Sequence, residues 1–119
     1  MSTLKVNNIG KTTGSTQDTM KGLAKAWLEG DSNAVTDVSF NISGGTDHGT
    51  GDYSYSVTSS FSTQYTVQLG TPRTTVFDKG FNTNTARRTS SVLAFEIGDP
   101  HTQAQDDIDH IILANGDLA

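Results

Sequence analysis

The chain has 119 residues, no cysteine and a formal net charge of −5, which fits one domain with a small core and excludes disulfide staples, thiolate metal sites and a basic nucleic-acid surface. Hydrophobic types make up 33% and charged types 18%; with Gly counted in and Tyr out the apolar share is about 40%, below the roughly 45–50% of ordinary domains. Disorder needs high net charge as well as low hydrophobicity, so the expectation is a folded chain whose thin core is completed by identical neighbours.

No apolar run approaches the roughly 20 residues of a membrane-spanning helix. The N-terminus lacks a signal-peptide hydrophobic region, and use without Sec export is expected. In residues 3–9, Leu4 and Val6 alternate with Thr3, Lys5 and Asn7, and Ile9 closes the run. Residues 10–17 hold Gly, Thr and Ser with almost nothing apolar. A strand followed by a polar linker at a terminus suits an arm that docks on something else, or an edge that merely frays. Residues 1–22 are therefore assigned to an N-terminal docking arm and linker, with Leu4, Val6 and Ile9 as its contacts, and residues 23–119 to the domain.

Met20, Leu23, Ala24, Trp27 and Leu28 fall at helical spacing, with Ser15 or Thr16 available as a cap and Gly30 as a stop. Gly22 interrupts that pattern at a cost of about 1 kcal/mol. After the turn chemistry of residues 30–33 comes the most patterned stretch. Val38, Phe40 and Ile42 alternate with Asp37, Ser39 and Asn41, then Tyr53, Tyr55 and Val57 alternate with Ser54, Ser56 and Thr58. Period two marks half-buried strands. Between them Gly44, Gly45, Gly49 and Gly51 can take positive φ, and Asp47 and Asp52 can form side-chain-to-backbone turns. The expectation is an antiparallel hairpin with a long solvated loop.

Ala24-Lys25-Ala26-Trp27, then SFNIS over residues 39–43, then TDHGTGDY over residues 46–53, taken in that order, resemble a domain of bacteriophage tail-fibre and other virion-appendage proteins, especially in phages of aquatic bacteria. The resemblance spans about residues 24–116 and is weakest over 70–84. It implies a strand over residues 23–28 instead of a helix, and a homotrimer. Short starts similar to STLKVNNI occur in the same proteins, which favours the arm.

Further along, Tyr65, Val67 and Leu69 form one face of a strand that Pro72 ends, because proline donates nothing to a ladder. Residues 74–77 are expected as a short strand and residues 78–84 as a loop. Residues 87–97 alternate Leu93, Phe95 and Ile97 against Val92, Ala94 and Glu96; residues 98–107 form a polar loop and residues 108–114 a closing strand. About eight strands without a convincing long helix predict an all-β, antiparallel β-sandwich or jelly-roll-like fold.

Candidate chemistry is confined to carboxylates and histidines. Asp47, His48 and Asp52 share the central loop, and Asp99, His101, Asp106, Asp107, Asp109 and His110 lie close together near the C-terminus. Either group has the oxygen ligands a hard cation takes, but neither has EF-hand spacing, and no metal or other cofactor is expected. His110, among Ile108, Ile111, Ile112 and Leu113, reads as a pH-sensitive or metal-holding interface group, or as a strand histidine bonded to a neighbour. No GxSxG, HExxH or phosphate loop occurs; Asp47 and Asp52 form a merely formal acid–base pair, and no enzyme is expected. Trp27, Phe40, Tyr53, Tyr55 and Tyr65 are candidate core or subunit-interface aromatics, and Trp27 and the tyrosines could stack on sugars if exposed. Asp47, His48 and Asp52 mark a candidate surface recognition loop. Arg87 and Arg88 could pair with Asp106 or Asp107 of a neighbour.

The resemblance implies a virion structural protein assembled in the host cytoplasm, a trimeric surface subunit of a tail fibre, another appendage or the capsid, joined to other virion proteins by its arm. A capsid decoration (cement) protein and a tip that recognises host surface glycan are the alternatives. Neither nucleic acid nor membrane is an expected partner.

Overall fold

The computed structural model describes residues 24–64, 66–75 and 78–119. They form eight strands, β1 (Ala26–Gly30), β2 (Thr36–Phe40), β3 (Ile42–Asp47), β4 (Asp52–Val57), β5 (Val67–Pro72), β6 (Gly80–Thr83), β7 (Val92–Gly98) and β8 (His110–Asn115). The first sheet has the order β2-β1-β8-β5 and the second β3-β4-β7-β6. Every pairing is antiparallel. The expected all-β sandwich is thus the fold of the described chain.

At β1 the strand wins over the helical spacing. Ala26, Leu28 and Gly30 face inward while Trp27 and Glu29 face outward, and the strand is paired on both edges, by β2 and β8. A helix of only a few residues has too few hydrogen bonds to offset its costly nucleus. Two laddered edges outweigh it.

The run through Val38, Phe40 and Ile42 is not one strand. It breaks at Asn41, whose φ is 59°, and passes from the first sheet to the second. Asn is among the few residues that visit this left-handed region readily. Its side chain pins the crossing: Nδ2 donates to the Lys25 carbonyl (2.9 Å) and the Ser59 carbonyl (3.1 Å), and Oδ1 accepts the Ser59 N–H (2.6 Å). Ile42 packs against the core, whereas Val38 and Phe40 stand on the outside of the first sheet.

Of the four glycines expected to supply positive φ, Gly49 and Gly51 do, while Gly44 and Gly45 lie within β3. Gly45 is needed for closeness instead. A Cβ there would overlap the Ala34 carbonyl oxygen and stand 2.6 Å from Tyr55 Cε1.

The second half departs further from expectation. Residues 78–84 are not all loop, because β6 pairs with β7 and sets Phe81 opposite Ile97. Phe81 lies over Gly70, where any Cβ would overlap its ring, so the missing side chain lets the sandwich close. Thr74 and Thr75 are not in a strand, and residues 76 and 77 lie outside the described residues. Pro72 is the last residue of β5, an edge strand, where its missing N–H is tolerated. Residues 87–91 form a turn and a tight bridge before β7, with Asn84 Oδ1 accepting the Ala86 and Arg87 N–H groups.

The core lies between the sheets and is built on Leu28, Tyr53, Tyr55, Phe61, Leu93, Phe95, Ile97 and Ile112. Phe95 is its centre, with ring centroids 4.9 Å from Phe81, 5.8 Å from Tyr53 and 5.9 Å from Tyr55.

Candidate functional site

His110 lies in this core, not on a surface. It is fully buried, its Nδ1 is 2.8 Å from the Ile108 carbonyl and its Nε2 is 2.7 Å from the Tyr55 hydroxyl. A carbonyl only accepts, so Nδ1 carries the proton and Nε2 accepts from Tyr55. Neutral His110 is then fully satisfied. Burial pushes its pKa below the ordinary value, only partly opposed by the Ile108 carbonyl and by Asp109 and Asp31. Burial likewise raises the pKa of both tyrosines, with Asp107 a further cause at Tyr53 and Asp31 at Tyr55. Of the two readings the sequence left open for His110, this is the bonded strand histidine.

The acidic residues near the C-terminus disperse into structural tasks. Asp107 Oδ1 accepts the Gly51 N–H (2.7 Å) and lies 3.1 Å from the Tyr53 hydroxyl, which also has the Ser32 carbonyl at 3.2 Å. Asp109 accepts the Ser32 N–H. Asp106 pairs with Lys79 at 2.9 Å, and Asp99 accepts the His101 and Thr102 N–H groups, which hold its pKa down. Among the described residues, no three His, Asp or Glu side chains gather as a metal site would require.

The central loop is tight and polar. Asp47 Oδ1 accepts the Gly49 N–H, and His48 and Asp52 close the turn through their backbones. His48 Nε2 is 2.8 Å from Ser54 Oγ, but no carboxylate among the described residues orients the imidazole, as a nucleophile–base pair would need. Asp47 and Asp52 do not face each other across a cleft. Asp52 is instead the cross-strand partner of Glu96. The Asn84 amide donates to both carboxylates (3.2 and 3.0 Å), and Arg87 Nε lies 3.0 Å from Asp52 Oδ2. Arg87 thus pairs within its own chain. This arrangement makes the outer face of the second sheet a hydrogen-bonding surface.

The opposite face of the molecule is apolar. Phe40 on β2 is in register with Trp27 on β1, Trp27 with Leu113 on β8, and Leu113 with Leu69 on β5. One row of large apolar side chains therefore crosses all four strands of the first sheet. The next row holds Val38, Glu29, Ile111 and Thr71, and Val67 lies beyond Leu69. Exposure of Trp27, Val38, Phe40, Val67, Leu69 and Ile111 runs from 38% to 59%. With fully exposed large side chains at about 150–250 Å², these six present roughly 500–600 Å² of apolar surface, the upper end of what a monomer ordinarily shows.

The aromatics singled out in the sequence thus divide. Tyr53 and Tyr55 are core, which removes them as platforms for sugars; Trp27 and Phe40 share the exposed row. Tyr65, Leu4, Val6 and Ile9 lie outside the described residues. Sequence reading missed Val38, Val67, Leu69 and Ile111 as parts of one surface. The signal was there in β5, where apolar Val67 and Leu69 alternate with Gln68 and Gly70, but it reads equally well with either face inward.

No family model, no curated protein and no solved structure matches the chain.

Proposed function

We propose that the chain is a phage virion structural protein, a small trimeric surface subunit of a tail fibre, another appendage or the capsid, attached by residues 1–22. The observation that carries this reading is the apolar row Phe40–Trp27–Leu113–Leu69 across the outer face of the first sheet. A face of that extent is suited to a protein that works by being assembled. The resemblance of residues 24–27, 39–43 and 46–53 to virion-appendage domains supplies the setting.

Immunogold labelling of particles of the phage that encodes the chain tests the reading. Label on tail or fibre supports an appendage subunit, and label over the head favours the decoration (cement) alternative, for which the same apolar face would seat the subunit between capsomers. A chain found solely in the soluble fraction of a lysate would sink both. Deleting residues 1–17 is expected to leave a folded oligomer that no longer joins particles, so incorporation of that truncation would count against the arm. The glycan-tip reading retains the exposed loop of Asp47 and His48 but no longer Tyr53 and Tyr55.

A further inference from the structure

The proposed function requires the apolar face to be covered, and its charge and dimensions point to what covers it. The chain carries net −5, so copies repel one another over most of their surface. The outer face of the first sheet is different. Its one central carboxylate, Glu29, is already paired with Arg73 at the β5 edge. Like-charged copies can approach there without opposing unpaired charge.

The width of the sheet favours three copies. Strands lie about 4.8 Å apart, so four of them make a wall about 19 Å wide. Three such walls closing a triangular prism stand about 5.5 Å from its axis, close to half of the roughly 10 Å at which packed sheets interdigitate. The middle strands β1 and β8 would then aim Trp27, Leu113 and Ile111 at the axis. At each corner a β2 edge would meet the β5 edge of the next copy, and both edges are apolar: Val38 and Phe40 on one, Val67 and Leu69 on the other.

We propose that the outer face of the first sheet is a homotypic interface in which three copies turn it towards a common axis, with Phe40 of one copy against Leu69 of the next. The inference rests on the assembly reading for the trimer and on the structure for the face. The absence of cysteine allows a direct test on the full chain. Within one copy, β2 and β5 are three strand spacings apart, about 14 Å, well beyond the roughly 7 Å Cα limit of a disulfide. Oxidised Phe40→Cys/Leu69→Cys is therefore expected to run as a covalent trimer on a non-reducing gel, while each single variant runs as a monomer. Light scattering is expected to give a trimer mass for the wild type and a monomer mass for Leu69→Lys with an unchanged far-UV spectrum.

A monomeric wild type overturns the proposal, as does a trimer that survives Leu69→Lys and fails to crosslink. Covalent dimers from a single variant would mean a two-fold stack of faces and overturn the three-fold arrangement. A monomer in which the Leu69→Cys thiol is shielded from maleimide assigns the face to another occupant, residues 1–22 among them, and overturns it too. A monomer that nevertheless labels particles refutes this interface alone; a crosslinked trimer absent from particles refutes the virion reading alone.

Discussion

Tyr55→Phe removes one oxygen and leaves every ring contact in place, so it isolates the hydrogen bond at the centre of the core. The Tyr55 hydroxyl lies 2.7 Å from His110 Nε2, and His110 is fully buried. Without the hydroxyl, Nε2 becomes a buried acceptor with no donor, a loss of about 1–3 kcal/mol. At about 4–8 °C per kcal/mol for a domain of this size, the melting temperature drops by several degrees at fixed protein concentration. Gly30 makes the argument sharper. A Cβ at Gly30 would stand 2.5 Å from the Tyr55 hydroxyl and 3.1 Å from His110 Nε2, so Gly30→Ala alone is expected to cost about 1–3 kcal/mol as overpacking. In the Tyr55→Phe background the closer clash is gone, and the double variant is less destabilised than the sum, with a coupling of about 1 kcal/mol or more. Urea titrations of the four proteins measure the cycle. A Tyr55→Phe cost below about 0.5 kcal/mol, or strict additivity, would refute the geometry and the tautomer assigned to His110.

Three further outcomes follow from the same packing. Because burial lowers the pKa of His110 in the fold, the folded state binds its proton less readily than the unfolded chain; the resulting stability is complete above the unfolded value of about 6.5 and is lost as pH falls towards the folded value. Calorimetry between pH 8 and 5 should therefore show a melting temperature that falls on the acid side, and an imidazole that titrates by NMR at or above 6.5 would contradict this. Gly45→Ala is expected to destabilise by more than about 2 kcal/mol because backbone, not a flexible tip, blocks the methyl. Gly44→Ala, with nothing within 4 Å, should stay within about 0.5 kcal/mol of wild type, and equal effects in thermal melts would undo the contrast. Asn41→Ala loses three hydrogen bonds and the residue type that tolerates φ of 59°, about 2–3 kcal/mol in chemical denaturation; a neutral result would show that the crossing between sheets is not held there.

What was legible in the sequence follows from how one-sided each strand is. Tyr53, Tyr55 and Val57, and Leu93, Phe95 and Ile97, are large and apolar against small or polar neighbours, and both sets face the core. β8 was harder, because Ile111, Ile112 and Leu113 are apolar on both parities and only Ile112 is fully buried. β6 has one large apolar residue among Gly, Asn and Thr, so its local chemistry says loop; it is a strand because Phe81 seals the gap above Gly70. Asn41 hid the change of sheet, since the side-chain alternation continues in sequence through a residue whose backbone turns the chain.

The strand character of β4, β5, β7 and β8 and the thin core were thus determined by the sequence alone, since period two and turn residues act locally, whereas β1 and β6 became strands through the neighbours that pair with them. Which of two apolar faces turns inward was decided only by the tertiary structure. Val38, Phe40, Val67 and Leu69 stand outside and His110 inside because the sheets close where Gly30, Gly45 and Gly70 admit Tyr55 and Phe81. Alternation defines two faces of a strand; the shape of the opposing sheet selects between them.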